Sequence, residues 1–180
     1  MIIVTGMPGA GKDELVNITK QAGFHDLHMG NTVKEYVKIN GIEMSDRAIG
    51  KFATEEREKY GMDIWARRTL AKVTDNQMTV IDGLRNIEEL QYFRKMESSI
   101  FVVAVFANRK TRLERILKRD RIDDVRSEKE LIERDNRELS WGIGNVIALA
   151  DYMIVNDSTL EVFKNRVEDL LSREFQKKVW

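Results

Sequence analysis

Met1-Ile2-Ile3-Val4-Thr5-Gly6-Met7-Pro8-Gly9-Ala10-Gly11-Lys12-Asp13 opens the chain with an apolar run, a glycine-rich turn and a lysine where a helix begins. A phosphate-binding P-loop requires that order. The strand sets the loop, the glycines let backbone N–H groups face a phosphate, the helix N-terminus adds partial positive charge, and Lys12 reaches the outer phosphates. Gly6 to Lys12 fits G-x-x-x-x-G-K, with Asp13 where Ser or Thr is usual. A plain strand-to-helix turn has no use for Lys12, so Gly6, Pro8, Gly9, Ala10, Gly11 and Lys12 are the expected phosphate cradle.

Outward from the loop, the period of the apolar residues switches between strand and helix. Leu15, Ile18 and Ala22 mark a first helix that Gly23 ends, and Phe24 to Met29 reads as a short second strand. Gly30-Asn31-Thr32 breaks that strand, and Asn31 or Thr32 is placed to cap a helix running to about Ile39. After the Asn40-Gly41 turn, a helical pattern runs from Ser45 to about Asp75 with one interruption, at Gly61. Met78 to Gly83 and Ile100 to Phe106 read as strands, the latter apolar throughout as a strand buried on both faces should be. Between and after them come a helix over about Asn86 to Met96 and a charge-dense helix pair over Arg109 to Arg137, joined through Arg121 to Arg126. Tyr152 to Val155 is the last strand, and Ser158-Thr159-Leu160-Glu161 is a capping-box pattern opening the last helix. The alternation predicts one α/β domain over residues 1–180 with about five mostly parallel strands and helices on both faces.

Composition narrows the chemistry. The chain has 180 residues and no cysteine, which excludes disulfides, thiolate nucleophiles and cysteine-held metals. Lysine plus arginine equals aspartate plus glutamate at 30 each, so no global basic field draws the chain to nucleic acid or membrane. No apolar run reaches membrane-spanning length, and strand residues begin at once with no secretory leader pattern, so a soluble, cytoplasmic protein is expected. His25 and His28 are expected at exposed positions beside a strand rather than as a metal pair. Trp65 and Trp141 are expected to pack in the core or at its rim.

In such sheets ligands bind beyond the C-terminal strand ends, where Lys12 and Asp82 should both lie. A carboxylate at the end of a buried strand beside the loop strand suits Mg²⁺, held directly or through water. Arg85, three residues on, can grip an acceptor phosphate with its planar fork. Arg112, Arg115, Arg119, Arg121, Arg126 and Arg134 form a cluster able to stabilise a transferring phosphoryl group. Of these, Arg115, Arg119, Arg121 and Arg126 bracket the turn most able to close. The absence of interleaved aromatics argues against reading this cluster as an RNA surface.

At this point the chain resembles the nucleoside monophosphate kinases, and among them archaeal adenylate kinase-related proteins with features of dephospho-CoA kinases. Gly6-Met7-Pro8-Gly9-Ala10-Gly11-Lys12 is similar to the adenylate kinase loop, and Val80-Ile81-Asp82-Gly83-Leu84-Arg85 to that family's strand ending in Asp-Gly-Phe-Pro-Arg. Gly30-Asn31-Thr32-Val33-Lys34 occupies the place of its acceptor motif, and Arg115 to Arg119 that of the arginine pair opening the lid. Ala150 to Asn156 is similar to the last strand of dephospho-CoA kinases.

The resemblance implies a P-loop three-layer α/β/α fold with strand order 2-3-1-4-5. It also implies an acceptor-binding helical insertion over about 31–75 and a short lid over about 119–130. It implies ATP and Mg²⁺, with transfer of the γ-phosphoryl group to a nucleoside monophosphate, AMP being favoured. The alternatives are a dephospho-CoA kinase or another small-molecule P-loop kinase, or an ATP-binding switch or assembly module with little transfer. Carried over, Lys12 holds the β- and γ-phosphates and Asp82 orients the magnesium shell. Gly30, Lys34, Arg57 and Arg85 hold the acceptor, while Arg119, Arg121 and Arg126 close over the transferring group. Arg115 and Asn156 lie near the donor base. Asp13-Glu14 replaces the family's Gly-Thr beside the donor phosphates, a pair of carboxylates that repels the nucleotide unless a cation intervenes or they face away; with a cation between, Asp13 joins Asp82 as an expected metal residue.

Overall fold

The computed structural model describes residues 1–74, 78–119, 121 and 124–175. The expected insertion end at Asp75, lid residues 120, 122 and 123, and the terminal Trp180 lie outside them. Five strands are present among the described residues: β1 (Ile2–Thr5), β2 (His25–His28), β3 (Thr79–Leu84), β4 (Phe101–Phe106) and β5 (Tyr152–Val155). They form one sheet in the order β2-β3-β1-β4-β5, and every pairing is parallel. The expected order therefore holds, and "mostly parallel" becomes wholly parallel.

Strand alternation sends neighbouring residues to opposite cores. Ile2, Val4, Val80, Val103, Val105 and Ile154 pack against α1 (Lys12–Gln21) and α9 (Leu160–Glu174) through Leu15, Val16, Phe163 and Val167. Ile3, Ile81 and Val102 face the other way. They meet α2 (Met29–Ile39), α3 (Asp46–Tyr60), α4 (Ile64–Leu70), α5 (Ile87–Met96) and α8 (Ile143–Ala148). Phe163 and Phe93, both wholly buried, anchor the two sides, each contributing on the order of 1.5–3 kcal/mol of transfer free energy. A third, small cluster of Ile116, Val125 and Leu131 joins α6 (Arg109–Arg119) to α7 (Glu128–Trp141).

Local chemistry set most boundaries, with some shifts. β2 is shorter than expected, because α2 begins directly at Met29 after His28 with no side-chain cap; neither Asn31 nor Thr32 caps it. The helical pattern after Ser45 breaks at Gly61, which takes φ +101°, and resumes only to Leu70. Trp65 is a core residue whose Nε1–H donates to the Ala53 carbonyl at 3.2 Å, locking α4 to α3. The cap of α9 is Thr159, whose hydroxyl accepts from the Val162 amide, one residue later than the capping-box pattern suggested.

Candidate functional site

The loop after β1 sits at the C-terminal edge of the central strand. Gly6 takes φ +142°, and a Cβ there would stand 2.3 Å from the Val105 carbonyl oxygen on β4, so only glycine fits. Lys12 turns back over its own loop, donating to the carbonyls of Gly6 at 2.8 Å and Met7 at 3.3 Å. Other loop carbonyls are satisfied from outside the loop. Pro8 accepts from Arg112 at 3.0 Å, and Ala10 accepts from Asn156 Nδ2 at 2.9 Å and Arg115 at 3.3 Å. Ties of this kind hold the backbone in the curved form a phosphate cradle needs before any ligand arrives. Burial pushes the Lys12 ammonium below the usual lysine range, against the pull of the nearby Asp82 carboxylate.

Arg112 therefore does not share an exposed arginine face with Arg115 and Arg119. It is buried, and a bidentate pair with Asp135 at 2.8 and 2.6 Å makes it a brace between the loop and α7. Arg115 Nη2 also donates to the Asn156 carbonyl at 3.1 Å, so these two expected donor-side residues form one buttress behind the loop.

Asp82 lies near the C-terminal end of β3, two residues before the strand stops at Leu84 rather than closing it as expected; it is 8% exposed and lines the same cavity as Lys12. Its Oδ2 lies 3.4 Å from His28 Nδ1, and its buried Oδ1 has no hydrogen-bond partner among the described residues. An orphaned carboxylate oxygen beside a phosphate cradle fits Mg²⁺, which binds through one or two carboxylates together with substrate phosphates and water. No group of three or more acidic or histidine side chains able to hold a metal occurs among the described residues, so a bound ion would draw most of its ligands from phosphate and water. His28 corrects the expectation of exposure: it is half-buried and lines the cavity, with Nε2 3.3 Å from Asp26. The hydrogen bond with Asp82 raises its pKa against the effect of burial, and the charges of Asp82 and Asp26 add to the rise.

Asp13 has a different partner from the one expected. Its Oδ2 accepts from Arg121 Nη2 at 2.6 Å, with Arg119 Nη1 at 3.9 Å. Burial would raise this carboxyl, but the Arg121 charge and hydrogen bond outweigh it and hold the pKa below the usual range. Glu14 turns to Lys164 at 3.3 Å. Arg119 is held bidentately by Asp124 at 2.7 and 2.6 Å. Arg126 is exposed and lines neither the main cavity nor the second hollow behind the loop.

Across from the loop, the insertion and α7 close the other half of the site. Arg57, 2% exposed, donates from Nη2 to Glu89 at 2.9 Å, while its Nε and Nη1 have no hydrogen-bond partner among the described residues. Arg85 donates to Glu138 at 2.8 Å and to the Gly83 carbonyl at 2.8 Å, and its own amide donates to Glu89. Burial would raise the Glu138 carboxyl, but Arg85 and then Arg134 hold it down. The Trp141 indole lies under the Arg57 guanidinium at 4.5 Å, so it is a rim residue in contact with the site rather than plain core. Lys12, Asp13, His28, Gly30, Lys34, Arg57, Asp82, Arg85, Arg119 and Arg121 thus share one cavity of about 170 Å³.

Glu89, Glu138, Asp135, Asp46 and Arg137 were not singled out from the sequence, and His28 was named there only as an exposed residue beside a strand. For three of them a signal existed. Glu89 lies between the cap Asn86 and the core Phe93 on one face of α5, and Asp135 and Glu138 fall on the Leu131–Trp141 stripe of α7. An acid at a core-facing position needs a cationic partner, and each of these has an arginine. His28, Asp46 and Arg137 carry no comparable mark.

The AAA domain family pattern matches residues 2–139. UPF0200 proteins from Thermoplasma volcanium and Thermoplasma acidophilum are 68% and 67% identical, covering 97% of this chain and 98% and 97% of their own lengths. A UPF0200 protein from Sulfurisphaera tokodaii is 40% identical over 96% of both chains. Among solved structures, shikimate kinase from Bacteroides thetaiotaomicron superposes with a TM-score of 0.66 at 17% identity, covering 95% of this chain and 97% of that one. TT1252 from Thermus thermophilus gives 0.63 at 15% identity and 96% of both chains. These structural likenesses establish a P-loop kinase-like fold, in which no described helix is long and apolar enough to cross a membrane. By residues 2–139 and by its full-length relatives, the chain belongs to the AAA domain family and to the UPF0200 proteins.

Proposed function

We propose that this protein is a small-molecule kinase that moves the γ-phosphoryl group of Mg²⁺-bound ATP to a nucleoside monophosphate, AMP being the favoured acceptor. One observation carries the reading. The Lys12 loop, Arg57 and Arg85 line a single cavity together with Asp82, whose buried Oδ1 has no hydrogen-bond partner among the described residues. Two sets of phosphate-seeking groups and a metal-suited oxygen in one cavity match the demands of phosphoryl transfer, in which catalysis is mostly positioning and charge stabilisation.

The loop amides and Lys12 hold the donor's β- and γ-phosphates, and Asp82 with His28 behind it orients the magnesium shell. The ion that Asp82 would hold would supply neutralising charge to the phosphates. Arg85 and Arg57 orient the acceptor phosphate, each kept in place by a buried acid. Gly30 and Lys34 line the same cavity, and Arg119 and Arg121 stand where charge develops on the moving group. In this reading 31–75 is the acceptor-binding insertion and 119–130 the lid, with Arg126 reaching the site only when the lid moves.

The state of the acids favours a phosphate acceptor over an alcohol. An alcohol needs a general base, but the described cavity carboxylates are already committed. Asp13 is tied to Arg121, Asp46 to Arg137 and Glu138 to Arg85, and the Asp82 oxygen that has no partner among the described residues is the one this reading gives to magnesium. A phosphomonoester arrives as an anion and needs no base.

The test is incubation with ATP, Mg²⁺ and a panel of acceptors, measuring ADP and phosphorylated product. Formation of ADP from AMP is the expected result. Transfer only to dephospho-CoA or another alcohol removes the monophosphate reading, and nucleotide binding without transfer to any acceptor favours a switch.

A further inference from the structure

α3 is fastened to α7 in two places. Near its middle, the Thr54 hydroxyl accepts from Trp141 Nε1 at 3.1 Å. At its first residue, Asp46 Oδ2 accepts from Arg137 Nη2 at 2.6 Å, and Oδ1 stands 3.2 Å from Arg134 Nε. The side chains of Asp46, Arg134 and Arg137 are 20%, 15% and 22% exposed, so this is a half-buried tie rather than a solvated surface pair. Arg137 lies over Gly50, where a Cβ would stand 2.5 Å from its Nε. All four residues line the cavity that holds Arg57 and Arg85.

Two features of this corner do not balance. One carboxylate serves two guanidinium groups, which leaves Arg134 Nη1 and Arg137 Nε buried with no hydrogen-bond partner among the described residues, as are Nε and Nη1 of the 2%-exposed Arg57. Buried polar groups are normally satisfied, so the corner is short of anionic oxygens. The cavity, about 170 Å³, is also small beside the roughly 300–1,000 Å³ of ligand pockets. Displacing one wall would widen it for a phosphorylated molecule. The middle of α3 is pinned by the buried Phe52 and Ala53, whereas its first turn is half-exposed and held by the Asp46 tie.

We propose that the acceptor's anionic group competes with Asp46 for Arg134 and Arg137. A phosphorylated acceptor binds by displacing this carboxylate, which frees the first turn of α3 from α7 and widens the pocket. A phosphate suits the exchange because it offers several acceptor oxygens to the guanidinium N–H groups that one carboxylate leaves unpaired. The inference rests on the acceptor reading above and adds the residue that sets what the acceptor compartment admits.

The experiment titrates wild type and Asp46→Asn with AMP, and separately with inorganic phosphate, in EDTA with ATP filling the loop. Removing the competing charge should tighten binding of both probes about tenfold. In wild type, phosphate should accelerate amide exchange in the first turn of α3. Equal or weaker binding by Asp46→Asn overturns the proposal. Should that variant not fold, the wild-type exchange decides, and unchanged or slower exchange overturns it. The two readings separate cleanly. Tighter phosphate binding with no AMP binding by either protein keeps the Asp46 competition and removes the monophosphate acceptor. Equal AMP binding by both proteins does the reverse.

Discussion

The two poles of the cavity are built on different principles. The loop pole is backbone: glycine conformations, a helix start, and carbonyls tied back by Lys12, Arg112, Arg115 and Asn156. The opposite pole is side chain: arginines drawn from α3, the end of β3 and α7, each held by an acid that is distant in sequence. The first is complete without ligand, whereas the second keeps buried N–H groups with no partner among the described residues. A pre-formed cradle suits a donor common to many kinases, and an incomplete, ion-held pole suits a partner that must be selected.

The strongest way to break this contrast is at the ionic pole. Arg57→Met leaves Glu89 buried without its guanidinium and should cost about 3–5 kcal/mol in urea or thermal unfolding. A loss below about 1 kcal/mol would mean that the pair is not structurally coupled to the core. Lys12→Ala attacks the other pole. It should lower turnover by more than ~100-fold, on the scale of removing one transition-state donor, while leaving the melting temperature nearly unchanged. Unaltered ADP production in that variant would remove the P-loop from the mechanism.

Arg85→Ala sharpens the contrast. Affinity for AMP should fall at least about tenfold more than affinity for ATP, the loss expected when a charged hydrogen bond is removed at one pole only. Equal losses for the two ligands would place Arg85 between the poles instead. The smallest effect is a pH dependence. His28 gains a carboxylate partner on folding and its pKa is raised, so its contribution to stability is complete below the ordinary histidine value near ~6.5 and is lost as pH rises through the folded value. The melting-temperature difference between wild type and His28→Asn should therefore shrink from pH 5 towards pH 9. A difference that grows across that range would reverse the assignment. Asp13 and Glu138, held below the usual carboxylate range, act in the opposite direction. Their contribution is present above their unfolded values and is lost only as pH falls through the lower folded ones.

Legibility followed the same division. Glycine spacing, the position of Lys12 and the apolar run of β4 are local marks, so the loop, the strands and the C-terminal strand-end location of Asp82 were all readable in one dimension. Arg85 was readable too, because it follows Asp82 closely. Arg112 was not: its charge placed it with an exposed arginine cluster, but Asp135, 23 residues on, draws it inside. Asp13 stood out as an odd neighbour for a phosphate cradle, and only the fold brings Arg121 against it, 108 positions away in the chain.

By itself, the sequence determined the architecture and one pole of the site. A P-loop is a backbone device coded by adjacent residues, and alternating periods of apolar residues dictate which elements form and which faces they bury. Only the tertiary structure decided the other pole, including Glu89 behind Arg57, Glu138 behind Arg85, and Asp46 across Arg134 and Arg137. A buried charge takes its position from whichever opposite charge the fold brings within reach, and sequence spacing carries no record of that distance.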